Sequence, residues 1–183
     1  MDTILGAFEE FTDGLVPAAS SGSMSIVTIG GVDPRTQRYF SYVETYGGGQ
    51  GASATKDGAS ATHTHMTNTR NTPCEVIERE YPLRVEAYEI ARDTGGRGKH
   101  RGGDGIVRRL TLTHGEATVV AGTSRVTTQP WGLDGGDDGS SAHIERQVDG
   151  QTTTLPSMSK FTLTAGNSVS IQTAGGGGYG YAD

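Results

Sequence analysis

At 183 residues, with 33% apolar residues and 29 glycines, the chain is long enough for one domain but excludes long regular helices and collagen-like repeats. Its formal net charge of −6 argues against nucleic-acid binding through a general basic surface. Cys74 is the only cysteine, which excludes an internal disulfide, and no segment reaches the roughly 18 apolar residues of a membrane span. We therefore expect a single cytoplasmic domain over residues 1–183.

The chain opens with a helical pattern and continues with strand patterns. Ile4, Leu5, Phe8 and Phe11 recur at three- and four-residue intervals, which predicts a short helix over residues 2–12. This pattern starts abruptly, as expected for part of a longer chain. Two apolar-rich strands follow, and a turn-forming Asp-Pro pair joins them as a hairpin. Their predicted bounds are Met24–Ile29 and Arg38–Tyr46.

The segment Ala61–Thr72 is polar, rich in Thr and predicted to form a strand. On a strand, His63 and His65 would lie on one face, about 7 Å apart at Cα. Two imidazoles so placed could bind one metal ion or share a general-base role near neutral pH. A polar edge strand, with side chains bonded to neighbouring loops, explains the same pattern. The segment also carries amide and guanidinium donors that could hold a carbonyl oxygen or a phosphate: Asn68, Arg70 and Asn71.

The second half of the chain is dominated by short strand patterns. Leu83–Tyr88 alternates apolar and polar residues, and the alternation changes phase near Glu89, which predicts a bulge or the end of the strand there. A short helix is expected over residues 74–80. The remaining predicted strands are Ile106–Thr113, Ala117–Gly122, Ala142–Val148, Lys160–Leu163 and Ser168–Thr173. The predicted fold class is mainly β, a sandwich or barrel-like arrangement with Gly-rich loops and a few short helices.

Glycine clusters separate several of these elements. Gly47, Gly48 and Gly49, the span Gly95–Gly105, and the run Gly175–Gly178 each permit positive φ and close approach of backbones. Such loops can bind phosphate through backbone N–H groups. None has the Walker form or sits in a strand–GxGxxG–helix unit, so tight turns are the favoured explanation over ligand loops.

Three further features each allow more than one interpretation. Arg97, Lys99, His100 and Arg101 form a basic run that could bind an anion or simply balance neighbouring carboxylates. Trp131, the only Trp, is expected to plug a core or an interface in preference to lining a substrate site. For Cys74, a buried, unreactive thiol is favoured over a nucleophile.

Taken in order, seven blocks of the chain resemble the hydantoinase B/oxoprolinase family, in its C-terminal part. The resemblance covers essentially the whole chain, although family members are several times longer. A Cys stands at position 74 where the family pattern suggests Val. The matching blocks are Tyr42–Ala52, Asp57-Gly58, His63–Pro73 with Glu75-Val76, Tyr81–Val85, Gly95–Gly105, Pro130–Leu133 with Gly135-Gly136, and Gly166 followed by Thr173–Gly180.

The resemblance implies one component of an ATP-dependent enzyme that hydrolyses cyclic amides such as hydantoins, 5-oxoproline or lactams. A hydantoinase A-like partner would use ATP to phosphorylate the substrate, and a further chain would supply the rest of the hydantoinase B-type subunit. Any divalent metal is expected outside this chain. A subunit of an ATP-dependent ketone carboxylase, or a non-catalytic module that completes a larger subunit, are the alternatives.

Within this chain, the resemblance and the residue types together nominate a set of site residues. His63 or His65 would transfer a proton or position water. Asn68, Arg70 and Asn71 would hold the oxyanion or the departing phosphate. The glycine loops at Gly47–Gly49 and Gly175–Gly178 would close round the small-molecule substrate.

Overall fold

A computed structural model describes residues 1–12 and 14–182 as two antiparallel sheets with two short helices. The helices are α1 (Asp2–Thr12) and α2 (Cys74–Glu80). The strands are β1 (Ser25–Asp33), β2 (Arg38–Tyr46), β3 (Leu83–Ala91), β4 (Gly105–Leu112), β5 (Glu116–Gly122), β6 (His143–Val148), β7 (Gln151–Leu155), β8 (Met158–Thr164) and β9 (Ser168–Gln172). The mainly β fold predicted from the sequence is confirmed.

The strands form two open sheets and no closed barrel. The first sheet has the order β2-β1-β5-β8, and the second has the order β3-β4-β9-β6-β7. β1 and β2 pair along their whole length, from Ser25 opposite Tyr46 to Asp33 opposite Arg38, as the predicted hairpin requires. Of the two predicted architectures, the structure is therefore the sandwich type.

One hydrophobic core lies between the sheets and contains residues from both. Val27, Ile29 and Val119 come from the first sheet, whereas Leu110 and Ile171 come from the second. These side chains alternate with exposed ones, as in Ser25–Asp33, where alternate residues are buried. This two-residue period is what allows each sheet to bury one face only.

The structure corrects one strand prediction and adds one strand. Ala61–Thr72 forms no strand, because Ala61 and His65 have positive φ values of 53° and 58°, which an extended strand does not allow. Only an isolated bridge, between Gly48 and Thr62, remains there. Conversely, Gln151–Leu155 forms β7 although it shows no apolar alternation, because it pairs with β6 at the sheet edge.

The bulge in β3 also lies slightly earlier than expected. The register shifts between Val85 and Ala87, and the strand then continues to Ala91. The bulge therefore falls at Glu86 and not near Glu89. The extra residue shifts the pairing between β3 and β4 at Glu86, whereas the alternation of apolar residues in the sequence changes only at Glu89.

The glycine-rich segments pack backbone against backbone. A Cβ on Gly49 would lie 2.0 Å from the carbonyl oxygen of Gly103, and one on Gly176 would lie 2.0 Å from that of Gln50. Only residues without a side chain allow this approach. In the described parts of the chain, no helix is long and apolar enough to cross a membrane.

Candidate functional site

The site is centred on His65, which lies in the loop between β2 and α2. Its Nε2 atom is 2.7 Å from the Oδ1 atom of Asp2 and 3.0 Å from the hydroxyl of Ser20. The Thr64 hydroxyl donates to the Ser20 hydroxyl at 3.1 Å. Residues from the N-terminal helix, the segment before β1 and the loop therefore converge on one imidazole.

Arg125 approaches the same carboxylate from the loop that follows β5. Its Nη2 atom is 2.7 Å from the Oδ2 atom of Asp2. The three side chains are largely enclosed, with exposed fractions of 21% for His65, 10% for Asp2 and 16% for Arg125. Asp2 is thus bonded on one oxygen by an imidazole and on the other by a guanidinium.

His65 and Arg125 share an uncommon backbone conformation. Their φ values are 58° and 62°, in the left-handed region that costs a non-glycine residue about 1–3 kcal/mol. Such residues persist when the surroundings hold them in place, and they concentrate at functional sites. Here both are held by the carboxylate of Asp2.

These contacts determine where the hydrogen lies on a neutral His65 ring. An ionised Asp2, paired with Arg125, can only accept, so the hydrogen at the 2.7 Å contact belongs to Nε2. Among the described residues, the hydrogen bonds of this ring run through Nε2. Nδ1 is then the nitrogen with a lone pair available for a proton.

The same assignment excludes an activated serine nucleophile. Ser20 would need Nε2 as an acceptor, whereas the Asp2 carboxylate makes Nε2 the donor. The Ser20 hydroxyl is instead oriented toward the Asp2 oxygens, at 3.4 and 3.5 Å. Ser20 therefore helps to hold Asp2 and His65 in position. The arrangement is suited to proton transfer through His65.

A cavity of about 380 Å³ opens beside this group. Asp2, His65 and Arg125 line it, together with Met1 and Met66. Hydroxyl groups complete the wall: Thr3, Ser23, Thr67, Ser124 and Thr128. The cavity combines one acid–base group, one cation and several neutral donors, which is a lining that suits a small polar substrate.

The structure separates His63 from His65. His63 Nε2 is 3.1 Å from the Thr69 hydroxyl, and the Thr69 hydroxyl bonds that of Thr45 at the end of β2. Burial lowers the pKa of His63, which favours its neutral form. The two histidines thus bond to different partners, and the predicted shared face is wrong because the segment is not a strand.

The other predicted donors lie apart from the cavity wall. Asn71 donates from Nδ2 to the carbonyl of Thr45 at 2.9 Å and accepts at Oδ1 from the Tyr88 hydroxyl at 2.8 Å. Asn68 and Arg70 are exposed. Asn71 therefore secures the loop to the sheets, while the roles expected of Asn68 and Arg70 stay predictions.

The glycine loops direct their backbone N–H groups inward. The Gly49 amide donates to Ala174, Gly176 to Gly103 and Gly177 to Ala19, at 2.8 to 3.0 Å. Comparable bonds to protein carbonyl oxygens are made by Gly48, Gly175 and Gly178. Because these donors are already satisfied, the loops favour tight backbone packing over phosphate binding through their amides.

The basic run behaves as a locally balanced loop. Arg101 Nη2 lies 2.9 Å from Asp104 and 3.5 Å from Asp93, and His100 Nδ1 lies 3.5 Å from Asp57. Arg97 and Lys99 are exposed. These contacts favour local charge balance over a built anion site.

Trp131 and Cys74 are both half-buried. The Trp131 ring packs on α1, where a Cβ at Gly6 would lie 3.2 Å from it, as expected of a plug between elements. The sequence predicts a buried Cys74, but the residue is only half-buried, and its sulfur accepts a hydrogen bond from Arg108 Nη1 at 3.7 Å. Its position at the start of α2 accounts for the difference.

Sequence reasoning missed three members of the site: Asp2, Ser20 and Arg125. Asp2 is the first residue of a helix that was predicted from its apolar residues, so its carboxylate was not considered. Ser20 lies in a Ser-rich segment that is typical of a turn. Arg125 has no local pattern. Across residues 1–12 and 14–182, no group of three or more His, Cys, Asp or Glu residues is placed to hold a metal ion.

The family model described as hydantoinase B/oxoprolinase matches residues 1–182. The chain belongs to this family. 5-oxoprolinase 1 of Arabidopsis thaliana is 35% identical over 98% of the chain and 13% of that protein. The B-type subunit of a putative D-/L-hydantoinase from Pseudomonas sp. (strain NS671) is 33% identical over 98% of the chain and 30% of that protein.

Two solved structures share the fold of this hydantoinase B/oxoprolinase chain. The ATP-dependent caprolactamase from Pseudomonas jessenii aligns with a TM-score of 0.76 and 24% identity, over 96% of the chain and 32% of that protein chain. Nucleotide-free acetone carboxylase aligns with a TM-score of 0.73 and 18% identity, over 94% and 28%. The chain spans only 12% to 31% of the length of the curated relatives it matches.

Proposed function

We propose that this chain forms the β-rich part of the B component of an ATP-dependent cyclic-amide hydrolase. Its family contains proteins named as 5-oxoprolinases and as the B-type component of a hydantoinase, which supports a ring-opening role. The observation that carries the proposal is the Arg125–Asp2–His65 chain of contacts beside an accessible cavity. At this contact His65 has a left-handed backbone, and its side chain is only 21% exposed.

In the proposed reaction, a hydantoinase A-like partner transfers the γ-phosphoryl group of ATP to the amide oxygen of the substrate. An unstrained lactam is a poor electrophile, and this step activates its carbonyl carbon. Water then adds to that carbon, and the His65 Nδ1 atom takes the proton that the water loses. The carbon–nitrogen bond then breaks, and the ring nitrogen leaves as an amine with the proton that His65 held. The acyl phosphate left behind is hydrolysed by a second water to the open-chain acid and inorganic phosphate, while ADP stays with the partner.

Asp2 and Arg125 position the base for this step. The Asp2 carboxylate fixes the His65 ring through Nε2–H and stabilises the imidazolium that forms when Nδ1 gains a proton. Arg125 keeps that carboxylate in place at 2.7 Å. Asn68 and Arg70 are kept as candidate contacts to the oxyanion or the phosphate, since their side chains are exposed.

The partner chains carry the parts that this site lacks. The amides of the glycine loops are bonded within the protein, and the described residues form no metal-ligand cluster, so we place the nucleotide and any divalent metal on other chains or segments. The remaining part of the hydantoinase B-type subunit is the second partner. We expect the assembly to be cytoplasmic.

An ATP-dependent ketone carboxylase is the second candidate function, because acetone carboxylase shares this fold. The two differ in the species that attacks the activated carbon: water in the hydrolase and a carboxylating species in the carboxylase. The non-catalytic alternative predicts that His65 can be replaced without loss of turnover.

The test is reconstitution of the complete complex with ATP and a substrate panel. Hydantoin, 5-oxoproline and caprolactam probe hydrolysis, and acetone with bicarbonate probes carboxylation. We expect an open-chain acid and phosphate from a cyclic amide, with no need for bicarbonate. If acetone reacts in a bicarbonate-dependent way and no cyclic amide is opened, the result favours the carboxylase and contradicts the proposal.

A further inference from the structure

Helix α1 presents its apolar stripe outward. Ile4, Phe8 and Phe11 are 56%, 54% and 79% exposed, whereas the carboxylate-bearing Asp2 is buried. Ala7 is exposed as well. These positions follow the i, i+3, i+4 and i+7 spacing by which a surface helix normally contacts its core.

The outward stripe is large and nearly uncharged. Leu15, which follows the helix in the chain, is 83% exposed, and Glu10 is the exposed acidic residue within α1. A contiguous patch that contains two phenylalanines is a mark of an interaction surface in a soluble protein. The inner side of the helix is already occupied by Trp131 and the site, so the stripe cannot fold back onto the core.

The stripe adjoins the mouth of the cavity. Met1 and Met66 line that cavity and are 52% and 87% exposed, so apolar surface runs from the site wall onto α1. Asp2, at the start of the same helix, bonds His65. A chain that covered α1 would therefore also lie next to the site, because Asp2 belongs to the same helix.

The length of the relatives supports one occupant for this surface. The chain corresponds to 30% of the B-type component of a hydantoinase and 13% of a 5-oxoprolinase, so each relative carries much additional polypeptide beside this region. We infer that the outward face of α1 docks the part of the hydantoinase B-type subunit that lies outside this chain. The inference rests on the proposed function, and it adds the surface and its coupling to the site.

The experiment co-expresses this chain, carrying an affinity tag, with the remaining part of its subunit and measures how much of that part co-purifies. The variants are Phe8→Asp and Phe11→Asp, with Phe8→Ser as an uncharged companion. Tyr39→Asp is the matched control, because Tyr39 is an aromatic residue that is 73% exposed on β2. Binding is measured without ATP or substrate, so its failure is separate from a failure of the proposed reaction.

We expect each Phe variant to retain at least tenfold less of the remaining part, and Tyr39→Asp to stay within twofold of wild type. The inference is wrong if the Phe variants retain it fully, or if Tyr39→Asp loses it equally. It is also wrong if the Phe variants only dissociate a dimer of this chain. If the remaining part still co-purifies but no cyclic amide is opened, the proposed function is wrong and the docking role of α1 is still supported.

Discussion

The carboxylate of Glu44 on β2 meets the guanidinium of Arg108 on β4 between the two sheets. Their oxygen and nitrogen atoms lie 3.1 Å apart, and their side chains are 3% and 0% exposed. Glu44 Oε1 also accepts the backbone N–H of Thr72 at 2.9 Å, and the Tyr88 ring lies 4.4 Å from the Arg108 guanidinium carbon. This pair therefore joins both sheets to the loop that carries His65.

Replacing Arg108 with Met should destabilise the fold strongly. The change leaves the Glu44 carboxylate buried without its cation, and the loss of one partner of a buried pair costs about 3–5 kcal/mol. Urea unfolding, followed by tryptophan fluorescence, measures the free energy. Arg79→Met is the control, because Arg79 and Glu80 form an exposed pair, 75% and 53% accessible, worth about 0–1 kcal/mol. Equal losses in both variants would contradict the role given to the Glu44 pair.

Gly176→Ala should cost more than Gly166→Ala, for a reason of space and not of backbone angle. A Cβ at Gly176 would lie 2.0 Å from the Gln50 carbonyl oxygen, so two backbones must separate, at a cost of about 3 kcal/mol. Gly166 has φ of 88° but open space, so alanine there costs about 1–2 kcal/mol. Thermal unfolding of both variants checks the order, and the reverse order would argue against the packed glycine layer.

His63 should make the protein less stable in mild acid. Burial lowers its pKa, so below about pH 6.5 the unfolded chain binds the proton more readily than the folded one. Stability is therefore unaffected at higher pH and falls as the pH drops below 6.5. His63→Gln should flatten this part of the curve in urea unfolding between pH 8 and 5. A curve for His63→Gln identical to wild type would show that His63 titrates alike in both states.

The sequence predicted the elements whose patterns have a strong period. The β1–β2 hairpin and the half-buried β3 were visible because one face of each strand meets the core. β7 was not, because none of its side chains is fully buried and its pairing depends on β6. Glycine spacing indicated tight turns, but it could not show that distant glycines pack against each other.

The candidate site was predicted only in part, since it is assembled from distant segments. His65 drew attention through its local block, yet its partners Asp2, Ser20 and Arg125 are set by tertiary contacts. The strand expected for Ala61–Thr72 failed because His65 adopts the left-handed conformation. The residue whose backbone departs from the predicted strand is therefore the one on which the proposed chemistry depends, His65.

The Asp2–His65 contact should affect turnover more than substrate binding. Asp2→Asn keeps the size of the side chain but removes the charge that fixes the ring and stabilises its protonated form. We expect kcat to fall by about 10²–10⁴ with little change in KM. Asp2→Glu should recover part of the lost rate if charge matters. Equal rates for the Asn and Glu variants would show that Asp2 has a purely structural role.

The most direct test compares His65→Ala with His63→Ala in the reconstituted complex, with cyclic-amide opening measured under saturating ATP. Both residues lie in one loop, but only His65 contacts Asp2 beside the cavity. We expect His65→Ala to lose about 10²–10⁴ in rate, as for a general base, and His63→Ala to stay within a few-fold of wild type. Co-purification of the partner chains controls for assembly. Turnover by His65→Ala within a few-fold of wild type, in an intact complex, would contradict the proposed site.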